Sequence, residues 1–173
     1  ALNSSFTVSA IYNVSDGVKQ LTGIGFRIYF DSTKIDFTGS TNLFSTSQTG
    51  ADTTPQIDTE NGDGDAGTDK YLGFAWADMS GAWPGTSQTL PLELVRIGFT
   101  VKNTAAVGVT PLNLTFISTT AGYQGQATNV SVNITGNASV SSSPGVVISD
   151  VTVTDSITSP PANYTPQTVV SFK

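Results

Sequence analysis

The segment Asp58-Thr-Glu-Asn-Gly-Asp-Gly-Asp-Ala-Gly-Thr-Asp69 gathers five of the chain's 13 acidic residues into twelve positions. Short oxygen-bearing side chains separated by glycines are what a hard cation requires. Calcium takes about 6–8 oxygens at about 2.3–2.6 Å, and the backbone must curl tightly to deliver them. Left without a counter-charge, carboxylates this close repel one another and oppose ordering of the loop. The expectation is therefore a calcium-organised loop that uses Asp58, Glu60, Asn61, Asp63, Asp65 and Asp69. Asp78, and Asp52 on the other side, are the nearest further oxygens to close the shell. The competing reading is a solvated acidic loop with no metal. An EF-hand is excluded by spacing, because that loop needs glycine at its sixth position and Glu at its twelfth, where Asp63 and Asp69 stand here.

Other chemistry is thinly represented. Histidine and cysteine are absent, which removes Ser–His and thiol nucleophile mechanisms. Glu60 and Glu93 are the two glutamates, and no phosphate-cradling or nucleophile-elbow motif occurs, so the chain reads as non-catalytic. Aromatic residues beside the acidic loop are candidates for ligand contact, since rings at a sandwich edge stack on sugars or cap peptides. Trp83 lies in Gly-Ala-Trp-Pro-Gly outside any strand pattern and is the leading candidate, with ordinary core packing as its alternative. Tyr71 and Tyr123 follow. Trp76 shares the alternation of Leu72 and Phe74 and belongs to the core.

The elements that must position these groups are strands. Charged residues make up only 12% of the chain, and Ser plus Thr number 46 of 173. Val, Ile, Thr, Phe and Tyr dominate the apolar runs, and no long helix-period segment occurs, so the fold class is all-β. Strands are expected at 4–12, 23–30, 35–38, 71–77, 92–101, 111–118 and 129–135. In Gly23–Phe30, Ile24, Phe26, Ile28 and Phe30 face the core, while Arg27 and Tyr29 point the other way. Arg27 and Arg96 are expected in sheet-surface ion pairs. Asp31–Lys34 reads as a turn closed by the Asp31 side chain. Residues 39–69 form one long Thr/Gly/Asp-rich excursion, longer than a structureless loop usually runs. Ser141–Gly145 reads as a linker between a body at 1–140 and a C-terminal strand pair at 146–173. That pair packs on the sandwich, begins a further module, or pairs with a neighbouring chain.

Seven of the ten asparagines head Asn-X-Ser/Thr triplets: Asn3, Asn13, Asn113, Asn129, Asn133, Asn137 and Asn163. Glycosylation and polar outward strand positions both account for them. The seven Lys and Arg residues are scattered, which argues against nucleic acid. No apolar run approaches the ~20 residues of a membrane span, so membrane insertion is not expected. No apolar leader heads the chain, which a mature or excised fragment would lack in any case. The Ser/Thr/Asn-rich surface points to an extracellular or cell-surface setting.

Gly23-Ile-Gly-Phe-Arg-Ile-Tyr-Phe-Asp-Ser-Thr-Lys-Ile-Asp-Phe37 resembles the early strand–turn–strand of cohesin-like modules, and Leu92–Val101 with Pro111–Phe116 resembles their later strands. The resemblance spans roughly residues 4–135. It implies a two-sheet antiparallel jelly-roll sandwich, related to carbohydrate-binding modules, that is non-catalytic and serves attachment or assembly. Asp63–Tyr71, Trp76-Ala-Asp78 and Trp83-Pro-Gly85 are similar to calcium-dependent ligand-binding modules of giant prokaryotic adhesins. That likeness implies calcium ligands at Asp63, Asp65, Asp69 and Asp78. Together these readings predict an extracellular, calcium-dependent adhesion or ligand-binding module for a peptide or carbohydrate on another protein or cell surface. A surface filament or layer subunit that self-associates through its C-terminal strands is the structural alternative, and a plain carbohydrate-binding module is the third.

Overall fold

The computed structural model describes residues 1–136 and the backbone of Val169–Ser171. The elements are β1 (Ser5–Tyr12), β2 (Gln20–Leu21), β3 (Gly23–Phe30), β4 (Ile35–Asn42), β5 (Gln48–Ala51), β6 (Gln56–Ile57), β7 (Lys70–Ala77), β8 (Trp83–Pro84), β9 (Leu92–Val101), β10 (Gly108–Ser118), β11 (Val130–Ile134) and β12 (Val169–Ser171). They form a four-stranded sheet in the order β12-β1-β9-β4 and a larger sheet in the order β11-β10-β3-β7-β5, with β6 also on β7. A two-stranded ribbon, β2-β8, stands apart. Consecutive strands β3 and β4 lie in different sheets, as do β9 and β10, so the chain crosses the sandwich at each connection. Among the described residues all pairings are antiparallel except that of β12, which runs parallel to β1 with Ser9 opposite Val169. The linker at 141–145 and the strand expected at 146–153 lie outside the described residues.

Alternation builds the core. Ile24, Phe26, Ile28 and Phe30 of β3 face inward beside Leu72, Phe74 and Trp76 of β7. Val8 and Ala10 of β1 and Val95, Ile97, Phe99 and Val101 of β9 meet them from the other sheet. The Phe30 and Phe99 rings meet edge-on at 5.2 Å. Each such ring removed from water stabilises the fold by about 1.5–3 kcal/mol. Trp76 is core, and its indole N–H donates to the Phe44 carbonyl at 2.8 Å, tying the β4–β5 connection to β7.

Three sequence expectations need correction. The excursion at 39–69 is not structureless: β4 continues to Asn42, and β5 and β6 pair with β7. Strand β10 begins at Gly108 rather than Pro111. Trp83 is not an exposed ring. It is 1% exposed, pairs with Leu21 in the β2–β8 ribbon, and packs against Tyr12 at 4.7 Å. A bulky indole between two prolyl- and glycyl-rich turns finds its lowest free energy beneath them, and strand periodicity gives no warning of that.

Candidate functional site

The acidic loop closes on itself and on the outer face of the larger sheet. The Asp58 N–H donates to the Asp69 carbonyl at 2.9 Å, which joins the two ends. Asp58 accepts the Gly62 N–H at 3.1 Å, and Asp65 accepts the Gly67 N–H at 2.8 Å. The Thr68 hydroxyl donates to Asp63 at 2.9 Å. Asp69 accepts both the N–H and the hydroxyl of Ser32, each at 2.6 Å, which fixes the loop's exit to the β3–β4 turn. Asn113 fixes its centre: Nδ2 donates to Asp63 Oδ2 and to Asp65 Oδ2, both at 2.9 Å. Asn113 stands on the outward face of β10 yet is only 8% exposed, because the loop lies over it. An attached glycan at this triplet is incompatible with the folded arrangement. The loop also covers Tyr29, the neighbour of Asn113 in register, which is 1% exposed although it points away from the core. Only glycine fits at 62, since a Cβ there would lie 2.5 Å from the Tyr29 hydroxyl.

These contacts disperse the sequence-derived ligand residues and bring only Asp63 and Asp65 onto a common partner. Asp63 and Asp65 converge on Asn113, while Asp58 and Asp69 serve turns of their own. Asn61 adopts a left-handed turn (φ 52°), and its carbonyl accepts the Gly64 N–H. Glu60 is exposed. Asp78 is separated from all of them: it follows the far end of β7, bonds Thr22 through its N–H, and accepts from Ser80 at 2.8 Å. The extended strand puts it on the order of 25 Å from the loop at ~3.4 Å per residue, so Asp78 cannot share an ion with Asp63 or Asp65. Asp52 accepts the Gly73 N–H at 2.7 Å, halfway along β7. Among the described residues no three acidic, histidine or cysteine side chains gather to hold a metal ion. The carboxylates face N–H and O–H donors. The Gly67 N–H, with Asn113 and Lys34 adding to it, holds the Asp65 carboxyl below its ordinary range against a small opposing desolvation.

Tyr71 is half-buried, 5.4 Å from the Tyr29 ring, with the Arg27 guanidinium 4.3 Å from its centroid. Arg27 thus takes a ring rather than the expected ion pair. Arg96 does take one, binding Glu93 through two nitrogens. The turn at Asp31 forms as its sequence implies, with Asp31 accepting the Thr33 N–H at 2.9 Å and pairing with Lys34 at 3.2 Å.

The opposite end of the sandwich is hollow. An open cleft of about 680 Å³ separates the segment after β1 from the β10–β11 connection. Its floor is apolar, made by Val14, Leu21, Ile24 and Phe116. The Tyr123 hydroxyl donates to Asp16 Oδ2 at 2.8 Å, linking the two walls. Thr119 donates to the Tyr123 carbonyl, and Thr120 donates to the Gly23 carbonyl and accepts the Thr22 N–H, so the 119–123 turn is anchored on the sheet. The Val18 N–H and then the Tyr123 hydroxyl hold the Asp16 carboxyl below its ordinary value. Tyr12 also lines the cleft. It is 4% exposed, and its hydroxyl is buried with no hydrogen-bond partner among the described residues. Burial first, then the fields of Tyr123 and Asp16, push its phenol up to about 12.

Of the sequence-derived candidates, Tyr123 alone lines this cleft. From the sequence, Tyr12 is the last residue of the strand expected at 4–12, and Asp16-Gly17 marks a turn. One signal was available: Val8, Ala10 and Tyr12 alternate inward, and a phenol at the last inward position brings a polar tip to the sandwich end. Nothing in the sequence showed that residues a hundred positions later would face it.

No protein-family model and no curated protein matches the chain. Among solved structures it is similar to the sixth cohesin of scaffoldin B from Acetivibrio cellulolyticus, crystallised with a Cel5 dockerin, at 17% identity and a TM-score of 0.48, over 78% of this chain and 91% of that one. It is also similar to the seventh ScaB type I cohesin from Pseudobacteroides cellulosolvens, at 16% identity and a TM-score of 0.44, over 82% and 90% respectively. The sandwich architecture stands on the strand pairing itself. Among the described residues no helix is long and apolar enough to cross a membrane.

Proposed function

We propose that the chain is a non-catalytic ligand-binding module of an extracellular or cell-surface protein, and that it receives its ligand in the cleft between residues 12–16 and 119–126. One observation carries this reading: an open cleft of about 680 Å³, within the roughly 300–1,000 Å³ usual for ligand sites, lined by Val14, Leu21, Ile24 and Phe116 together with polar side chains. Catalysis has no such support. Asp16, Asp31, Asp65, Asp78 and Glu93 are each held below their ordinary values, the opposite of what a general acid needs. Glu60 and Glu93 sit on different sheets' surroundings, and Glu93 is engaged by Ser9 and Arg96. The test is a backbone-amide NMR titration with a panel of short peptides and neutral oligosaccharides. The expected result is shifts at 12–16 and 119–126; shifts confined elsewhere, or none, contradict the proposal.

A second reading keeps calcium at the loop. It rests on Asp63 Oδ2 and Asp65 Oδ2, which both lie 2.9 Å from one atom, Asn113 Nδ2. An ion that displaced that amide would take two carboxylate oxygens at once, with water and backbone carbonyls completing its shell. Binding to the folded state alone would then raise the melting temperature with calcium concentration. Identical melts in calcium and in chelator would remove calcium from the account.

A further inference from the structure

Asn61 is the one asparagine of the chain that a glycine follows. An asparagine in that setting carries a latent reaction. The backbone nitrogen of the next residue attacks the side-chain amide carbon, and glycine leaves that nitrogen without a neighbouring Cβ in the way. The new C–N bond closes a five-membered imide, and ammonia leaves with the nitrogen's proton. Water then opens the ring at either carbonyl, giving an aspartyl or an isoaspartyl residue at position 61. Asn61 is exposed, so water reaches it. Glycine is held at 62 for a separate reason, because a Cβ there would lie 2.5 Å from the Tyr29 hydroxyl. Packing on Tyr29 therefore keeps a labile pair within the acidic loop.

The closed loop opposes the attack in two ways. The Gly62 N–H is donated to both Asp58 carboxylate oxygens at 3.1 Å. The nitrogen attacks only once that proton goes, and a carboxylate this close both holds the proton and repels the anion left behind. Asn61 is also fixed in its left-handed turn at φ 52°, with its carbonyl accepting the Gly64 N–H, and ring closure must break that turn. We propose that Asn61-Gly62 is a spontaneous deamidation site held in check by the closed loop, and that its conversion unfastens the loop irreversibly. The isoaspartyl form adds one methylene to the main chain beside Gly62, where Tyr29 leaves no room. Both products add a carboxylate to a loop that already holds five acidic residues. A converted loop no longer closes over Tyr29 and Asn113, 1% and 8% exposed beneath it, and this part of the outer sheet face is uncovered.

The experiment ages the intact chain in warm neutral buffer and follows every asparagine by mass-spectrometric peptide mapping, with isoaspartate assayed by enzymatic methyl transfer. The chain in urea gives the unprotected rate. Asp58→Ala and Asn113→Ala, each checked for folding by circular dichroism, loosen the loop from within and from beneath. The proposal expects position 61 to convert before any other asparagine, about tenfold or more slowly in the folded chain than in urea, and about tenfold faster in each variant than in the folded parent. The purified converted chain should be cut by protease within 58–69, while Asn61→Gln aged alongside it stays intact there. Equal rates in the folded chain and in urea, or no acceleration in either variant, would overturn the protection. Earlier conversion at another asparagine, or none at 61 even in urea, would overturn the site. A converted chain that resists protease within 58–69 as the parent does would overturn the unfastening.

Discussion

The two ends of strand β3 meet opposite solutions to the same problem. At the Phe30 end, a loop dense in carboxylates is folded against the sheet, and its carboxylates at 58, 63, 65 and 69 all accept from the chain's own donors. At the Gly23 end, few charges are present, yet a buried phenol is left without a partner beside an open cleft. The charged end is conspicuous and its carboxylates are taken up by the chain's own donors, whereas the neutral end is inconspicuous and leaves accessible volume.

The largest expected effect blurs the comparison from beneath. Trp83 packs on Tyr12 and Phe44, so Trp83→Ala should destabilise the whole fold by about 3–5 kcal/mol in denaturant titration. Loss of ligand binding without loss of stability would instead make Trp83 a contact residue. Asn113→Ala separates the two ends more sharply. It strips Asp63 and Asp65 of their shared donor and should cost about 1–3 kcal/mol, with faster proteolysis within 58–69. Ligand-induced shifts at the cleft should survive in this variant. If they vanish, the ends are coupled and the division fails.

Acid probes the same contrast. Asp65 and Asp31 have folded-state pKa values below the ordinary 3.8, Asp31 in spite of burial because Thr33 and Lys34 outweigh it. Such groups contribute stability that is present above the unfolded value and is lost as pH falls through the folded one. Melting temperatures should therefore hold from pH 7 to about 5 and fall below about pH 4, with a shallower fall in Asp65→Asn. An equally steep fall in that variant would take Asp65 out of the acid response. The smallest effect belongs to Tyr12→Phe, which removes an unpaired buried hydroxyl. Stability should change by less than about 0.5 kcal/mol, or rise. A clear loss in a chemical-denaturation series would mean that the hydroxyl is bonded in solution.

Much of the sandwich was legible because alternation is a local property. Leu92–Val101 reads as a strand from its own residues, and β9 occupies those positions. The ribbon β2–β8 was not legible, since two residues per strand carry no period. The acidic loop was visible as composition, but its fastening was not. Asn113 lies about fifty positions away, and only the register of β10 on β3 brings it under Asp63. Proximity in sequence groups Asp78 with the loop, whereas the eight extended residues of β7 separate them. The cleft was the least legible part, because Asp16 and Tyr123 meet across 107 positions.

The most direct test is one isotope-labelled amide map, recorded in chelator, then with the oligosaccharide and peptide panel, and then with calcium. The account predicts an ordered loop in chelator, with the Gly62, Gly67 and Thr68 amides already dispersed, and ligand shifts at 12–16 and 119–126 before calcium is added. A loop that orders only when calcium arrives, with ligand shifts confined to 58–71 and dependent on the ion, would contradict it.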